Sequence, residues 1–324
     1  HDAQSNLGSI PSNVFGEPRD DKALLKSYQF AANRGERDAQ FNLGAIHANG
    51  YGVPQNDKEA VKWFQRAAEQ GCASSQFNIG SMYAGGYGVC QDDKEALNWY
   101  RKSADQGCAS SQFNIGVAHE VGLGVPQDHQ EAVKWYRLAA EQGDAPAQFN
   151  LGVAYADGEG VLQNDEEAIK WYELAADQGH ASAQFNLGLR FLNGDGVPQD
   201  DKEALNWHRL AASQGYALAQ NNLGWMCANG FGCQQNDKEA AKWYRLAAVQ
   251  GCVSAQANLA EVYGNGRGVP QDDQLCYMWF NIAGANGHDV RYARSIIESR
   301  MSQASISEAQ EMTRDYLKSY LDVY

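Results

Sequence analysis

Apolar and polar residues follow one another along this chain in a pattern that returns every 36 residues. A first apolar stripe, carried by Ala39, Leu43 and Ile46, has the three- and four-residue spacing of one helix face. A glycine-rich turn follows, and a second stripe of helical spacing is centred on Trp63. The pattern therefore predicts two amphipathic helices in each period.

The tryptophan of the second stripe keeps the 36-residue interval without a slip, at Trp63, Trp99, Trp135, Trp171, Trp207, Trp243 and Trp279. A row of Gln and a row of Asn keep the same interval, and of the eight tryptophans only Trp225 lies outside the pattern. A fixed period in the range of about 20–50 residues is typical of stacked repeat units. We expect the tryptophan row to be core, so that Trp135→Ala would cost about 3–5 kcal/mol.

Start and stop signals divide each period at the same places. The second helix opens on Asn or Asp with Glu three residues later, as in Asn56 and Glu59, which is the pattern of an N-terminal cap. Gly50 and Gly52 end the first helix, whereas Gly44 lies inside it and recurs in the next units, which predicts a close helix crossing. The repeated acidic residues are therefore caps rather than catalytic carboxylates.

The recurring motif, AQFNLG, then GxGVPQ, then DKEA, then a Trp-aromatic pair and QG, resembles the Sel1-like repeat family, which is related to tetratricopeptide repeats. The resemblance implies an all-α, right-handed α/α superhelical solenoid of about eight 36-residue units over residues 1–288. Units are expected to start near residues 3, 39, 75, 111, 147, 183, 219 and 255. Residues 289–324 leave the period and predict C-terminal capping helices, one over Asp289–Met301 and one starting at Ser305.

Charge and hydropathy narrow the possible partners. The net charge of −14 argues against nucleic acid and anionic membrane surfaces, both of which are bound through Lys and Arg. No apolar run approaches the roughly 18–20 residues of a membrane span. The chain opens inside a repeat, and no signal peptide is visible. The family resemblance nevertheless implies an exported bacterial protein, periplasmic or secreted, of the virulence type.

The sequence contains few residues in the arrangements that catalysis requires. The seven cysteines contain no CxxC pair, and we expect mostly free thiols, with Cys227 and Cys276 the least implausible pair. We expect no cofactor, no metal, no small-molecule substrate and no enzyme activity. Two alternatives stay open: a β-lactam-binding or hydrolysing protein like some cysteine-rich relatives, and a structural scaffold of an envelope complex. The first lacks both the regular cysteine pair of that branch and a Ser-x-x-Lys motif.

Function is expected where the units differ, because positions shared by all units serve packing and turns. In Sel1-like solenoids the first helices line the concave face, which binds partner proteins, including host proteins. One variable position of the first helix reads Ala45, Ser81, Val117, Val153, Leu189, Trp225 and Glu261, and the next includes Arg190 and Met226. We predict a protein-binding site at Trp225, Leu189, Arg190, Met226 and Glu261. A second candidate is the turn ridge, defined as Tyr51, Tyr87, Leu123, Glu159, Asp195, Phe231 and Arg267.

Overall fold

The computed structural model describes residues 21–321, with side chains over 25–318, and these residues form seventeen helices and no strand. The predicted all-helical solenoid of paired helices is confirmed. The helices are α1 (Asp21–Asn33), α2 (Arg37–Asn49), α3 (Asp57–Glu69), α4 (Ala73–Gly85), α5 (Asp93–Ala104), α6 (Ala109–Val121), α7 (His129–Glu141), α8 (Ala145–Asp157), α9 (Asp165–Asp177), α10 (Ala181–Asn193), α11 (Asp201–Ser213), α12 (Ala217–Asn229), α13 (Asp237–Val249), α14 (Val253–Asn265), α15 (Asp273–Ala285), α16 (Arg291–Glu298) and α17 (Gln303–Leu321).

The chain divides into two compact units, His1–Asn164 and Asp165–Tyr324. The first contains α1–α8 and the second contains α9–α17. We call the even-numbered helices α2 to α14 the A helices and the odd-numbered helices α3 to α15 the B helices. Within each unit, each A or B helix packs against the next, so that every apolar stripe is covered by a neighbour.

The predicted caps are present at the ends of the helices. The side chain of Asn56 accepts a hydrogen bond from the backbone N–H of Glu59 at the start of α3. At the end of α2, Gly50 adopts a φ of 71°, and its N–H donates to the carbonyl of Ile46. Since L side chains resist that left-handed conformation, glycine is the residue that allows the chain to leave each A helix here.

The repeating glutamines hold successive helices together. Gln76 is buried near the start of α4, and its amide donates to the carbonyl oxygen of Ala68 on α3 at 3.1 Å. Its own oxygen accepts from the amide of Gln106 at 2.7 Å, just beyond the end of α5. One buried amide therefore satisfies polar groups from the preceding and the following B helix. Both bonds recur at Gln40, Gln184, Gln220 and Gln256, where Asn286 supplies the last donor.

A glycine inside six of the seven A helices, α2 to α12, marks the predicted close crossing, and α14 has Ala260 at that position. A Cβ atom added to Gly116 would lie 2.6 Å from the ring of Tyr136, and one added to Gly44 would lie 2.6 Å from the ring of Phe64. The group that approaches is therefore an aromatic side chain of the B helix. At these two positions an added methyl group would have to displace a buried ring.

The tryptophan row is less buried than predicted. Trp63, Trp99 and Trp279 are buried, but Trp135 and the other members of the row are partly exposed. The residue that follows each tryptophan fills the core instead, as Tyr136 does. The partly exposed tryptophans lie at the edge of this core. A cation covers some rings of the row, buried or not: the Arg66 guanidinium lies 4.6 Å from the ring centroid of Trp63.

The C-terminal helices differ in extent from the prediction. Helix α16 covers only Arg291–Glu298. It begins after Asp289, whose carboxylate accepts from the Arg291 N–H ahead of the first turn. Helix α17 begins at Gln303, two residues before the predicted start, and both helices pack against α15. The unit predicted to start near residue 3 lies largely outside the described residues, which begin with α1, in the place of its B helix.

Candidate partner-binding cleft

Trp225 lies on helix α12 and exposes 40% of its surface. Its indole stacks on the ring of Phe231, with centroids 4.8 Å apart and planes inclined by 18°. Phe231 belongs to the turn after α12, and its N–H donates to the carbonyl of Met226. The turn therefore folds back onto the last part of the helix, and the indole is supported by stacking while it remains accessible.

Trp225 forms one wall of a cleft of about 270 Å³, which we call the Trp225 cleft. Asp237 and Tyr244 of α13 line it together with Glu261 of α14. Arg267 reaches it from the turn after α14. Three successive helices and one turn therefore contribute side chains to a single opening.

Tyr244 is buried at the inner end of this cleft, close to acidic side chains. Burial raises the pKa of the Tyr244 phenol most, and the nearby Glu261, Cys227 and Asp237, in that order, add to the effect. Two equivalent tyrosines of earlier repeats have a hydrogen-bond acceptor on their A helix: Tyr100 donates to Ser81, and Tyr136 donates to Glu120. In this repeat those two partner positions hold Trp225 and Ala228, so Tyr244 has neither partner.

The structure distributes the other predicted site residues differently. Glu261 is exposed and lines the cleft together with Trp225. Leu189 is partly exposed at the equivalent position of the preceding A helix. Arg190 is paired within the chain: its Nη1 lies 2.8 Å from Oδ1 of Asp165, and 19% of its side chain is exposed. We therefore conclude that Arg190 helps to hold α10 against α9 through this ion pair.

The prediction that Met226 belongs to the binding site is wrong. It is fully buried in the core of the second unit and cannot touch a partner. A helix turns by about 100° per residue, so the residue after the exposed Trp225 points toward the core. The equivalent residues Ile46, Met82, Ala118, Ala154 and Val262 are buried as well.

The turn ridge and the helix site are partly one site. Phe231 supports Trp225 by stacking, and Arg267 lines the Trp225 cleft. In the sequence these residues belong to a separate row of turn positions. One signal in the sequence could have joined the two rows. Phe231 follows Trp225 by six residues, as Arg267 follows Glu261, and this spacing places each turn residue just after the glycine at which the chain leaves the A helix and reverses.

A second apolar row was not singled out in the sequence. Leu138, Leu174, Leu210 and Leu246 recur at the 36-residue interval on the B helices and expose between 42% and 48% of their surface. In the second unit, Leu246 borders a groove of about 430 Å³ together with Lys242, Arg245 and Val269. This Leu246 groove is the rival surface against which the Trp225 cleft has to be tested.

The cysteines carry free thiols at all seven positions, in agreement with the expectation of mostly free thiols. Cys227 and Cys276, the pair considered in the sequence analysis, are both buried and are not joined by a disulfide. Burial raises the pKa of each to about 12, and for Cys227 the neighbouring thiol of Cys233 adds to the effect.

Within residues 21–321, no group of three or more His, Cys, Asp or Glu side chains is arranged to hold a metal ion. No helix of that range is long and apolar enough to span a bilayer.

Comparison with known proteins matches this architecture. The Sel1 repeat model matches residues 37–72, 73–108, 109–144, 145–180, 181–216, 217–252 and 253–288, a frame that begins two residues before the predicted unit starts. A Sel1 repeat protein from Oxalobacter formigenes of known structure is 35% identical, with 86% of this chain and 82% of that chain covered and a TM-score of 0.70. A protective antigen of uropathogenic Escherichia coli strains, which displays an SLR fold, is 29% identical over 95% of this chain and 82% of that chain, with a TM-score of 0.48. Comparison with curated proteins gives no match.

Proposed function

Because the chain belongs to the Sel1 repeat family, whose members are generally protein–protein interaction scaffolds, we propose that its second unit binds a partner protein at the Trp225 cleft. The observation that carries the proposal is the exposed indole of Trp225, held by Phe231 at the wall of a cleft. Tryptophan is enriched among the residues that dominate binding energy at protein interfaces. An indole that is already positioned loses little conformational freedom when a partner covers it.

The proposal sets a magnitude for Trp225→Ala. A buried aromatic anchor typically contributes about 2 kcal/mol or more, which corresponds to a roughly 30-fold or greater loss of affinity. The variant should fold like the parent protein, because removing an exposed side chain leaves no core cavity. Circular dichroism and the denaturant midpoint check that the second unit is intact.

The matched control is Leu246→Ala. Leu246 is exposed to a similar extent, at 47%, and is also apolar, but it lies on a B helix and borders the rival groove. We would immobilise the parent protein and both variants, and quantify the proteins each captures from bacterial envelope extract and from host-cell lysate. Captured proteins should then be purified and titrated against all three. Unchanged affinity for Trp225→Ala, with affinity lost in Leu246→Ala, would move the site to the B helices.

We also propose that the protein is exported from a bacterium and that its partner is a host protein, a finer proposal that rests on the family resemblance alone. Cell fractionation tests the compartment, and the two extracts test the source of the partner. Partners found only in the envelope extract would favour the structural scaffold instead. We further propose that binding is not accompanied by catalysis, so that nitrocefin is hydrolysed only at the background rate. Measurable turnover of nitrocefin would overturn this last point.

A further inference from the structure

The Trp225 cleft carries more negative than positive charge. Asp237 and Glu261 line it, against the single guanidinium of Arg267. Neither carboxylate forms an ion pair with any side chain that the structure describes. Both line the cleft together with Tyr244, which is buried at its inner end. A cation placed there would meet two carboxylates that form no ion pair, one of which, Asp237, accepts only a long hydrogen bond from Gln235 at 3.5 Å.

The second unit itself contains an example of such a cation. Asp165 is the first residue of α9, as Asp237 is the first residue of α13. The guanidinium of Arg190, from the following A helix, lies 2.8 Å from the Asp165 carboxylate. Two repeats later, the position equivalent to Arg190 is Val262, which cannot supply a charge. The carboxylate of Asp237 therefore lacks the guanidinium that the same architecture provides to Asp165.

The aromatic wall favours the same kind of ligand. Elsewhere in this chain, tryptophan rings accept cations: the Nζ of Lys102 lies 3.8 Å from the ring centroid of Trp99. Trp225 has Phe231 stacked on one side, and its ring borders the cleft that contains the two carboxylates. A guanidinium can lie flat on an indole and donate two parallel hydrogen bonds to a carboxylate, whereas an ammonium group has neither geometry.

The first unit has a cleft at the equivalent repeat positions, but with a different lining. Asp93 and Tyr100 line it at the positions of Asp237 and Tyr244, but Val117 and Leu123 replace the glutamate and the arginine. Its volume is about 110 Å³. The repeat architecture alone therefore produces a small, mostly apolar depression, and the larger acidic cleft arises from side chains specific to the sixth and seventh matched repeats.

From these observations we infer that the Trp225 cleft binds a basic side chain of the partner protein, with arginine preferred to lysine. The inference rests on the proposed function, since it specifies which residue of the partner enters the cleft. The guanidinium would stack against Trp225 and donate to Glu261 and Asp237. It would complete at Asp237 the pairing that Arg190 makes with Asp165.

Peptide pools that differ in one central residue provide the test. We would use blocked, fluorophore-labelled heptapeptides with randomised flanks and a central arginine, lysine, citrulline or leucine, and measure their binding to the full chain by fluorescence polarisation. Citrulline matches the shape of arginine but has no charge. The arginine pool should bind at least about tenfold more tightly than the citrulline pool. A tenfold difference in affinity corresponds to the lower end of the free-energy range for hydrogen bonds to charged groups. Added salt should reduce the difference.

Three charge-removing variants locate the effect. Glu261→Gln and Asp237→Asn should each remove most of the preference for arginine over citrulline. Asp93→Asn, which makes the same charge change at the same repeat position in the first unit, should leave the preference intact. A uniform loss in all three variants would mean that net charge, and not this cleft, attracts the basic peptides, and would overturn the inference.

The outcomes separate this inference from the proposed function. Equal binding of the arginine and citrulline pools, or no binding of the arginine pool, would overturn the inference. If Trp225→Ala nevertheless weakens binding of the purified partner, the proposed function stands and the anchor is another residue type. If Trp225→Ala changes neither the partner affinity nor any pool, the proposed function fails as well.

Discussion

A buried histidine makes the stability of this protein sensitive to mild acid. His208 on α11 occupies the core position that Phe or Tyr fills in the other repeats, and it has no exposed surface. Its ring lies 5.4 Å from the ring of Phe185, measured between centroids, and presses against Gly188. Neither ring nitrogen has a hydrogen-bond partner among the described residues. Burial lowers the pKa of His208 to about 4.

The sign of the effect follows from comparing the two states. In the unfolded chain the imidazole has a pKa near 6.5, so below that pH the unfolded chain binds a proton that the folded chain does not. The titration of His208 therefore leaves stability unchanged above about pH 7, and the protein loses stability as the pH falls from 6.5 to about 4. The loss amounts to about 2 kcal/mol at pH 5 and about 3 kcal/mol at pH 4.

His208→Phe is the informative variant, because Phe64 and Phe280 already occupy the equivalent position in other repeats. Urea unfolding of both proteins should be followed by circular dichroism at pH 7.5 and pH 5. Carboxylates titrate in both proteins and cancel in the difference, so the parent should lose about 2 kcal/mol more than the variant. The variant should also be more stable at pH 7.5, since it buries no unpaired nitrogen. Parallel losses in the two proteins would refute the argument.

Three further predictions concern packing. Gly116→Ala should destabilise the first unit by about 1–3 kcal/mol, because the added methyl meets an aromatic ring of α7, even though alanine is the better helix former by about 1 kcal/mol; a raised denaturation midpoint would contradict this. Trp99→Ala should cost about 3–5 kcal/mol and Trp135→Ala clearly less, since only the former is buried; equal losses in urea melts would argue against the edge position of Trp135. Ellman's reagent should modify exposed Cys90 in the native protein and buried Cys276 only after unfolding, and rapid native labelling of Cys276 would show that the core around it opens.

Most of the fold could be predicted from the sequence because each period repeats the same local signals. The cap at Asn56, the turn at Gly50 and the crossing at Gly44 all follow from local preferences of the residues concerned. The depth of burial was harder to predict. Trp135 and Tyr136 are adjacent on one apolar stripe, and only the packing of the neighbouring helices decides which of the two fills the core.

The site was predictable only in part. Trp225 was recognisable because it departs from a position held by smaller side chains in the earlier repeats, and such a departure serves no shared packing role. Met226 could have been rejected on the same logic, since its row is apolar in nearly every unit and therefore points to the core. The pairing of Arg190 with Asp165 could not be foreseen, because 25 residues separate them and only the stacking of one helix on the next brings them together.

Stacking of this kind explains how one repeat architecture produces different clefts. Each cleft takes its aromatic floor and one acid from a B helix, one wall from each of two A helices, and its rim from a turn. The shared floor keeps the stack intact, so the walls and rim can change without loss of the core. The mostly apolar depression has Val117 and Leu123 at the positions where the charged cleft has Glu261 and Arg267. The chemistry that a partner meets is therefore set at the few positions where the repeats disagree, while the positions that agree determine only where those side chains are held.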